Sequence, residues 1–230
     1  MSFIEGPPGF EPLNWSKPVV KSRRKLPHWV QEGATYFITF RLADSLPQEK
    51  LDELERLQAQ WEAAHPPPRD PEAWQQFHRE TMQRIDDWLD VGAGECCLRD
   101  PRCAGIVSHA LHHFHGQRYF LPAYCVMPNH VHVLVKPAAG HEPADLLHSW
   151  KSFTAKAINK HLQRTGEVWE PESHDTLVRD ARHLWNALRY IGKNPGKANI
   201  PEDQWIRFVD PSWERAGFGF ETKHDPRHGG

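Results

Sequence analysis

Apolar residues recur along this chain with two different periods, and the changes between them mark out its elements. In 35–42, Tyr36, Ile38, Phe40 and Leu42 alternate onto one face among β-favouring neighbours, which predicts a strand. After Leu46-Pro47 the period lengthens: Leu51, Leu54, Leu57 and Trp61 predict a helix that Pro66-Pro67-Pro68 must break, and a second helix follows over about 71–89. Arg99-Asp100-Pro101 opens a helix over 102–115 that ends near Gly116. Residues 119–127 and 130–135 read as two strands joined by a hairpin turn at Pro128-Asn129. An amphipathic helix over 143–162, short extended pieces at 168–170 and 174–178, and a helix over 180–193 follow. Asn194-Pro195 is expected to stop that last helix. Beyond 201, Trp205, Phe208, Trp213 and Phe218 predict a tail that packs back on the body. Helices alternating with strands around a central hairpin predict an α+β fold, an antiparallel sheet with packed helices.

Composition refines this picture. The 230 residues suffice for one domain with a sizeable core. We divide them into an N-terminal tail (1–27), a domain (28–200) with a helical insertion after the first strand (about 43–90), and a C-terminal tail (201–230). No apolar run approaches the roughly 18 residues that span a bilayer. Met1 is followed by no basic-then-apolar signal pattern, so a cytoplasmic location without membrane contact is expected. Cys96, Cys97, Cys103 and Cys125 are too few and clustered for a secreted disulfide framework. The net charge of −2 conceals a separation: 43–90 holds 12 acids and 5 bases, whereas the rest holds 18 acids and 23 bases. A basic body with one acidic segment is compatible with binding a phosphate backbone. The run Lys21, Arg23, Arg24, Lys25 is either a solvated linker or a DNA-contacting arm. The insertion shows no dense group of site-type residues, and a structural or regulatory role is expected of it.

Two stretches carry candidate chemistry. His130 and His132 stand two apart on a strand and so project from one face, while Val131, Val133 and Val135 point into a core. Paired imidazoles on a rigid strand suit a divalent metal, although hydrogen-bonded or surface histidines fit the same spacing. On the last helix, Leu184, Leu188 and Ile191 form an apolar stripe, and Asn186, Tyr190 and Asn194 form a polar row beside it. Tyr190 and the Asn194 carbonyl can reach a neighbouring metal from that row; alternatively Tyr190 borders the core and Asn194 caps the helix.

The run 126–135, VMPNHVHVLV, resembles the REP-associated tyrosine transposases, a branch of the single-tyrosine HUH transposases. Residues 189–198, RYIGKNPGKA, resemble that family's nucleophile segment, with Gly196 and Asn199 departing from the commoner Val and Gly. The likeness extends over roughly 28–200, through TYFITFRL at 35–42, Lys151-Ser152-Phe153-Thr154, Ile158-Asn159, Gly166-Glu167-Val168-Trp169 and His174-Asp175. His174 stands where the family more often has Phe or Tyr. The resemblance implies a ferredoxin-like HUH nuclease/transposase core. It further implies Tyr190 as nucleophile and His130, His132 and Asn194 as ligands of Mg²⁺ or Mn²⁺. The reaction it implies cuts and rejoins single-stranded DNA through a 5′-phosphotyrosine, on hairpins of palindromic repeats, by a monomer or homodimer.

Lys151, Lys156 and Lys160 on the 143–162 helix, with Arg179, Arg182, Arg189, Lys193 and Lys197, are expected to line the DNA path. The alternative for the whole chain is a non-catalytic DNA-binding or regulatory relic of the family. A hydrolytic metalloenzyme is disfavoured, because Leu134 stands where many such enzymes carry an acid soon after the pair. The three clustered cysteines with His109, His112, His113 and His115 lack the usual zinc spacing and are expected to be buried thiols beside a His-rich helix face.

Overall fold

A computed structural model of the chain describes residues 6–23, 27–68 and 70–221. Its elements, in order, are β1 (Val20–Arg23), β2 (Pro27–Val30), β3 (Tyr36–Arg41), α1 (Gln48–Ala64), α2 (Pro71–Asp90), α3 (Pro101–His113), β4 (Tyr119–Val126), β5 (His130–Pro137), α4 (Pro143–His161), β6 (His174–Leu177), α5 (Ala181–Lys197), β7 (Ile206–Val209) and α6 (Pro211–Arg215). The fold is α+β. Five strands form an antiparallel sheet in the order β6-β3-β5-β4-β7, and β1 pairs with β2 separately. Counted from β3, the strands β6, β3, β5 and β4 run 4-1-3-2, the ferredoxin-like order, and β7 adds a second edge beyond β4. The hairpin α1–α2 interrupts the crossover between β3 and α3, a helical insertion after the first strand of the five-stranded sheet, although β1 and β2 precede that strand where none was expected.

Strand alternation gives each sheet face its own core. Tyr36, Ile38, Phe40, Val131, Val133, Val135, Tyr124 and Val126 pack against α3 and α4, through Val107, Leu111, Leu146, Trp150 and Ile158 among others. On the opposite face, Ala123, Cys125, Met127 and Leu134 pack against Leu184, Ala187, Leu188 and Ile191 of α5 and against Trp213 and Phe218. The sheet is therefore a central layer, with α3 and α4 on one side and α5 on the other.

Helix starts follow side-chain capping. Asp100 accepts from the Arg102 amide ahead of Pro101 in α3, and Asp180 accepts from the His183 amide at α5. The expected stop at Asn194-Pro195 is not where α5 ends: it continues to Lys197 with Pro195 inside it. Proline forfeits the bond to the Ile191 carbonyl, but its fixed φ is helical, and the Ala198 amide resumes the ladder on the Asn194 carbonyl at 3.1 Å. Asn194 is consequently an interior helix residue one turn beyond Tyr190, not a cap.

The N-terminal segment contributes more than a tail with little core: Leu13 is buried, and its amide donates to the Val178 carbonyl at 2.9 Å. Of the basic run, Lys21 and Arg23 lie on β1, while Arg24 and Lys25 fall outside the described residues. The aromatic residues after 201 do pack back, with Trp213 fully buried and its indole N–H donating to the Pro8 carbonyl at 2.8 Å. Among the described residues, no helix is long and apolar enough to cross a membrane.

Candidate active site

β5 lies between β3 and β4, and its pleat sends His130, His132 and Leu134 to the α5 side. His132 pairs with Thr39 of β3 and Cys125 of β4 in the ladder, so its backbone is held from both sides. Both imidazoles are buried, at 1% and 0% exposure, and their Nε2 atoms face each other at 2.9 Å. From α5, the Asn194 side-chain amide reaches to 2.7 Å from His132 Nε2. Two strand residues and one helix residue thus aim three polar atoms at a common point.

Neighbouring side chains set the protonation of this group. Asn129 Nδ2 donates to the carbonyls of Leu89 (3.1 Å) and Ala93 (3.4 Å), which leaves its Oδ1 facing His130 Nδ1 at 2.8 Å. That oxygen can only accept, so His130 carries its proton on Nδ1 and turns a bare lone pair inward from Nε2. Thr39 Oγ1 lies 2.8 Å from His132 Nδ1 and holds the orientation of the second ring, its hydroxyl being able to donate or accept. Burial lowers the His130 pKa to about 3 and lowers that of His132 well below the usual histidine range, with the neighbouring His130 adding to the effect on His132. Both rings are neutral at physiological pH, as metal ligation requires. The Asn194 Oδ1 atom is buried without a hydrogen-bond partner. A half-turn of that amide would put this oxygen in place of the nitrogen. Two imidazole lone pairs and an orphaned amide oxygen fit a divalent cation better than they fit one another.

Tyr190 sits one helical turn before Asn194. Its ring stands edge-on to the His132 ring at 5.2 Å and to Phe37 at 6.0 Å, while Phe37 stacks on His132 at 5.7 Å. The Tyr190 hydroxyl is closed from solvent and has no aligned hydrogen-bond partner. Burial, followed by the charge of Asp86, pushes its pKa well above the usual tyrosine value. The four residues singled out in the sequence therefore meet.

The expected cations divide between the two sides of the sheet. Arg182, Arg189, Lys193 and Lys197 lie on α5 with Tyr190, and Arg179 immediately precedes it. Arg182 and Lys193 are exposed, whereas Arg189 lies over the Trp185 ring. Lys151, Lys156 and Lys160 lie on α4, across the sheet. Lys151 is engaged there, donating to the carbonyls of Glu170, Pro171 and Glu172. Closeness to the motifs along the chain does not place these lysines beside them, because the strand pleat separates the layers.

What the sequence reading missed is the insertion's part in the site. The end of α2 delivers Asp86, Asp87 and Asp90 to α5: Lys197 pairs with Asp87 at 2.7 Å and Asp90 at 2.8 Å, and Asp86 faces Tyr190. His78 of α2 also meets His174 of β6, with ring centroids 4.5 Å apart. A signal was present, since three acids gather in the last five residues of a helix that has no base in its last turn. Exposed carbonyls already make that end negative. Elsewhere, the four cysteines are free and buried. Asp100, Cys103 and His161, not the helix histidines weighed above, bring potential ligand atoms within 4.8 Å of one another. In that group Asp100 accepts from His161 at 2.8 Å.

Residues 103–194 match the family model described as "Transposase IS200 like", a stretch that takes in His130, His132, Tyr190 and Asn194. No curated protein matches the chain. A solved structure of a REP-associated tyrosine transposase bound to a REP hairpin is similar at 14% identity and a TM-score of 0.45, covering 80% of this chain and 76% of that one. The segment similar to the IS200-like transposases thus runs through the whole His–Tyr–Asn cluster.

Proposed function

We propose that this chain cuts and rejoins single-stranded DNA by transesterification, with Tyr190 as the nucleophile and His130, His132 and Asn194 as the ligands of Mg²⁺ or Mn²⁺. The observation that carries the reading is the convergence of the two inward Nε2 atoms, 2.9 Å apart, with the Asn194 amide at 2.7 Å and the Tyr190 ring against His132. A phosphodiester resists attack because its own charge repels nucleophiles. A divalent cation held by His130, His132 and Asn194 would polarise the phosphate and offset the charge that develops in the transition state. β5 and α5 hold the phenol and the ligands in fixed relation, so that attack proceeds within one preorganised site. The product is a 5′-phosphotyrosine and a free 3′-hydroxyl. The covalent link conserves the phosphodiester's bond energy, so a second 3′-hydroxyl can reverse the step without ATP. Arg179, Arg182, Arg189 and Lys193 supply cations for the DNA backbone on the nucleophile's side of the sheet. The resemblance to REP-associated enzymes points to hairpins of palindromic repeats, whose unpaired bases are open to contact.

The test is incubation of the whole chain with hairpin-bearing single strands and Mn²⁺, followed by a denaturing gel. A covalent protein–DNA species is expected from the wild type and none from Tyr190→Phe, with DNA affinity unchanged within a few-fold. Cleavage that persists in Tyr190→Phe would reassign the nucleophile.

A further inference from the structure

The buried Tyr190 hydroxyl has no aligned partner, and leaving such a group unpaired costs about 1–3 kcal/mol. The inserted helix α2 ends beside it. Of the three acids in its last turns, Asp87 and Asp90 are taken up by Lys197, whereas Asp86 faces the phenol itself. The groups acting on Asp86 are Tyr190 and Lys197 from α5 and Asp87 and Asp90 from its own helix. The same segment is tied to the ligand cluster, since the Leu89 carbonyl accepts from the side chain of Asn129.

Resting on the transesterase reading, we propose that Asp86 accepts the proton of Tyr190 during strand cleavage, so that the acidic insertion completes the active site. As the Tyr190 Oη–P bond forms and the P–O3′ bond breaks, the phenolic proton moves to an Asp86 carboxylate oxygen. The 3′ oxygen leaves with the electron pair of the broken bond and takes up a proton from solvent. Asp86 then returns its proton to solvent, and one phosphodiester has been exchanged for another. Rejoining runs the same path backwards, with protonated Asp86 restoring the phenol. Burial raises the Asp86 carboxyl to about 7, and an acceptor is most effective when its pKa lies near the working pH. Catalytic hydrogen bonds that are unformed before substrate binds commonly tighten in the reacting complex.

The test compares wild type with Asp86→Asn, Asp86→Glu and Asp87→Asn in single-turnover adduct formation on a hairpin strand with Mn²⁺, from pH 5.5 to 9. DNA affinity and the circular dichroism spectrum are followed alongside. Asp86→Asn should form adduct about 100-fold more slowly near pH 7, with the deficit shrinking as hydroxide takes over at higher pH and affinity unchanged. Asp86→Glu should recover part of the rate, and Asp87→Asn should stay within a few-fold of wild type. Asp86→Asn within threefold of wild type at every pH, or faster than wild type, would overturn the assignment; the faster outcome would make the carboxylate a plug. Should Asp86→Asn fail to fold, Asp86→Glu decides: a rate and pH profile unlike either wild type or Asp87→Asn supports the assignment, and an unchanged profile refutes it. Absence of adduct from the wild type would bring down the transesterase reading itself, whereas a result confined to the Asp86 variants concerns this step alone.

Discussion

A single proton on His130 decides what the paired histidines can do. The two-residue spacing put both rings on one face and was legible from the alternation of residues 130–135. It could not say which nitrogen each ring would present. That is settled by Asn129, whose amide is fixed by two backbone carbonyls from the end of the insertion and the loop after it, so that its oxygen holds the His130 Nδ1 proton. Partners of this kind set the orientation and basicity of metal ligands. Asn129→Ala should therefore weaken Mn²⁺ binding about 10- to 100-fold while leaving the sheet intact, as read by calorimetric titration and circular dichroism. Unaltered affinity in that variant would mean that the rings need no such holder. In the sequence Asn129 had read only as a turn residue, because the carbonyls that orient it belong to residues 36 and 40 positions away.

At the scale of elements, the strands, the hairpin and most helix starts follow from period, caps and prolines, since each is a local signal. The helix through Pro195 and the docking of α2 on α5 do not, since each depends on contacts between distant segments. α1 has no buried residues of its own, and α2 gains its place through Leu89, the Lys197 ion pairs and the contact of Asp86 with Tyr190. The placement of Asp86 bears on stability as well as on chemistry. Its carboxyl is raised to about 7 by burial, so the folded protein holds that proton more tightly than the unfolded chain, where the ordinary value is 3.8. The linked stabilisation is complete below the unfolded value and disappears as pH rises through the folded one. Asparagine cannot ionise. In metal-free protein, the melting temperature of Asp86→Asn minus that of wild type should thus grow from pH 4 to pH 8, by roughly ten degrees for a chain of this size, and then level off. A difference that stays constant over that range would show that the carboxyl titrates normally.

The whole molecule is a charged sandwich whose two sides carry different groups. One helical layer closes a core of Tyr36, Phe40 and Trp150, while the other carries Tyr190 and Asn194 on a helix that packs over Leu134 and Trp213. The acidic insertion crosses to this second side and ties up Lys197, so the exposed cations on the helix of Tyr190 that are free of it are Arg182 and Lys193. Sequence order alone had merged them with the lysines of α4, which lie on the other side of the sheet. On the proposed mechanism only one side can carry the strand that reaches Tyr190, because the sheet stands between the two. Replacing Arg182 and Lys193 with glutamate should reduce affinity for single-stranded DNA at least tenfold. It should also flatten the slope of log K against log salt by about 0.7 for each phosphate that is no longer neutralised. Replacing the exposed Lys156 and Lys160 in the same way should leave both quantities nearly unchanged. The reverse ranking, in salt titrations followed by fluorescence anisotropy, would place the DNA on the α4 side and separate the strand from the tyrosine that lies against the histidine pair.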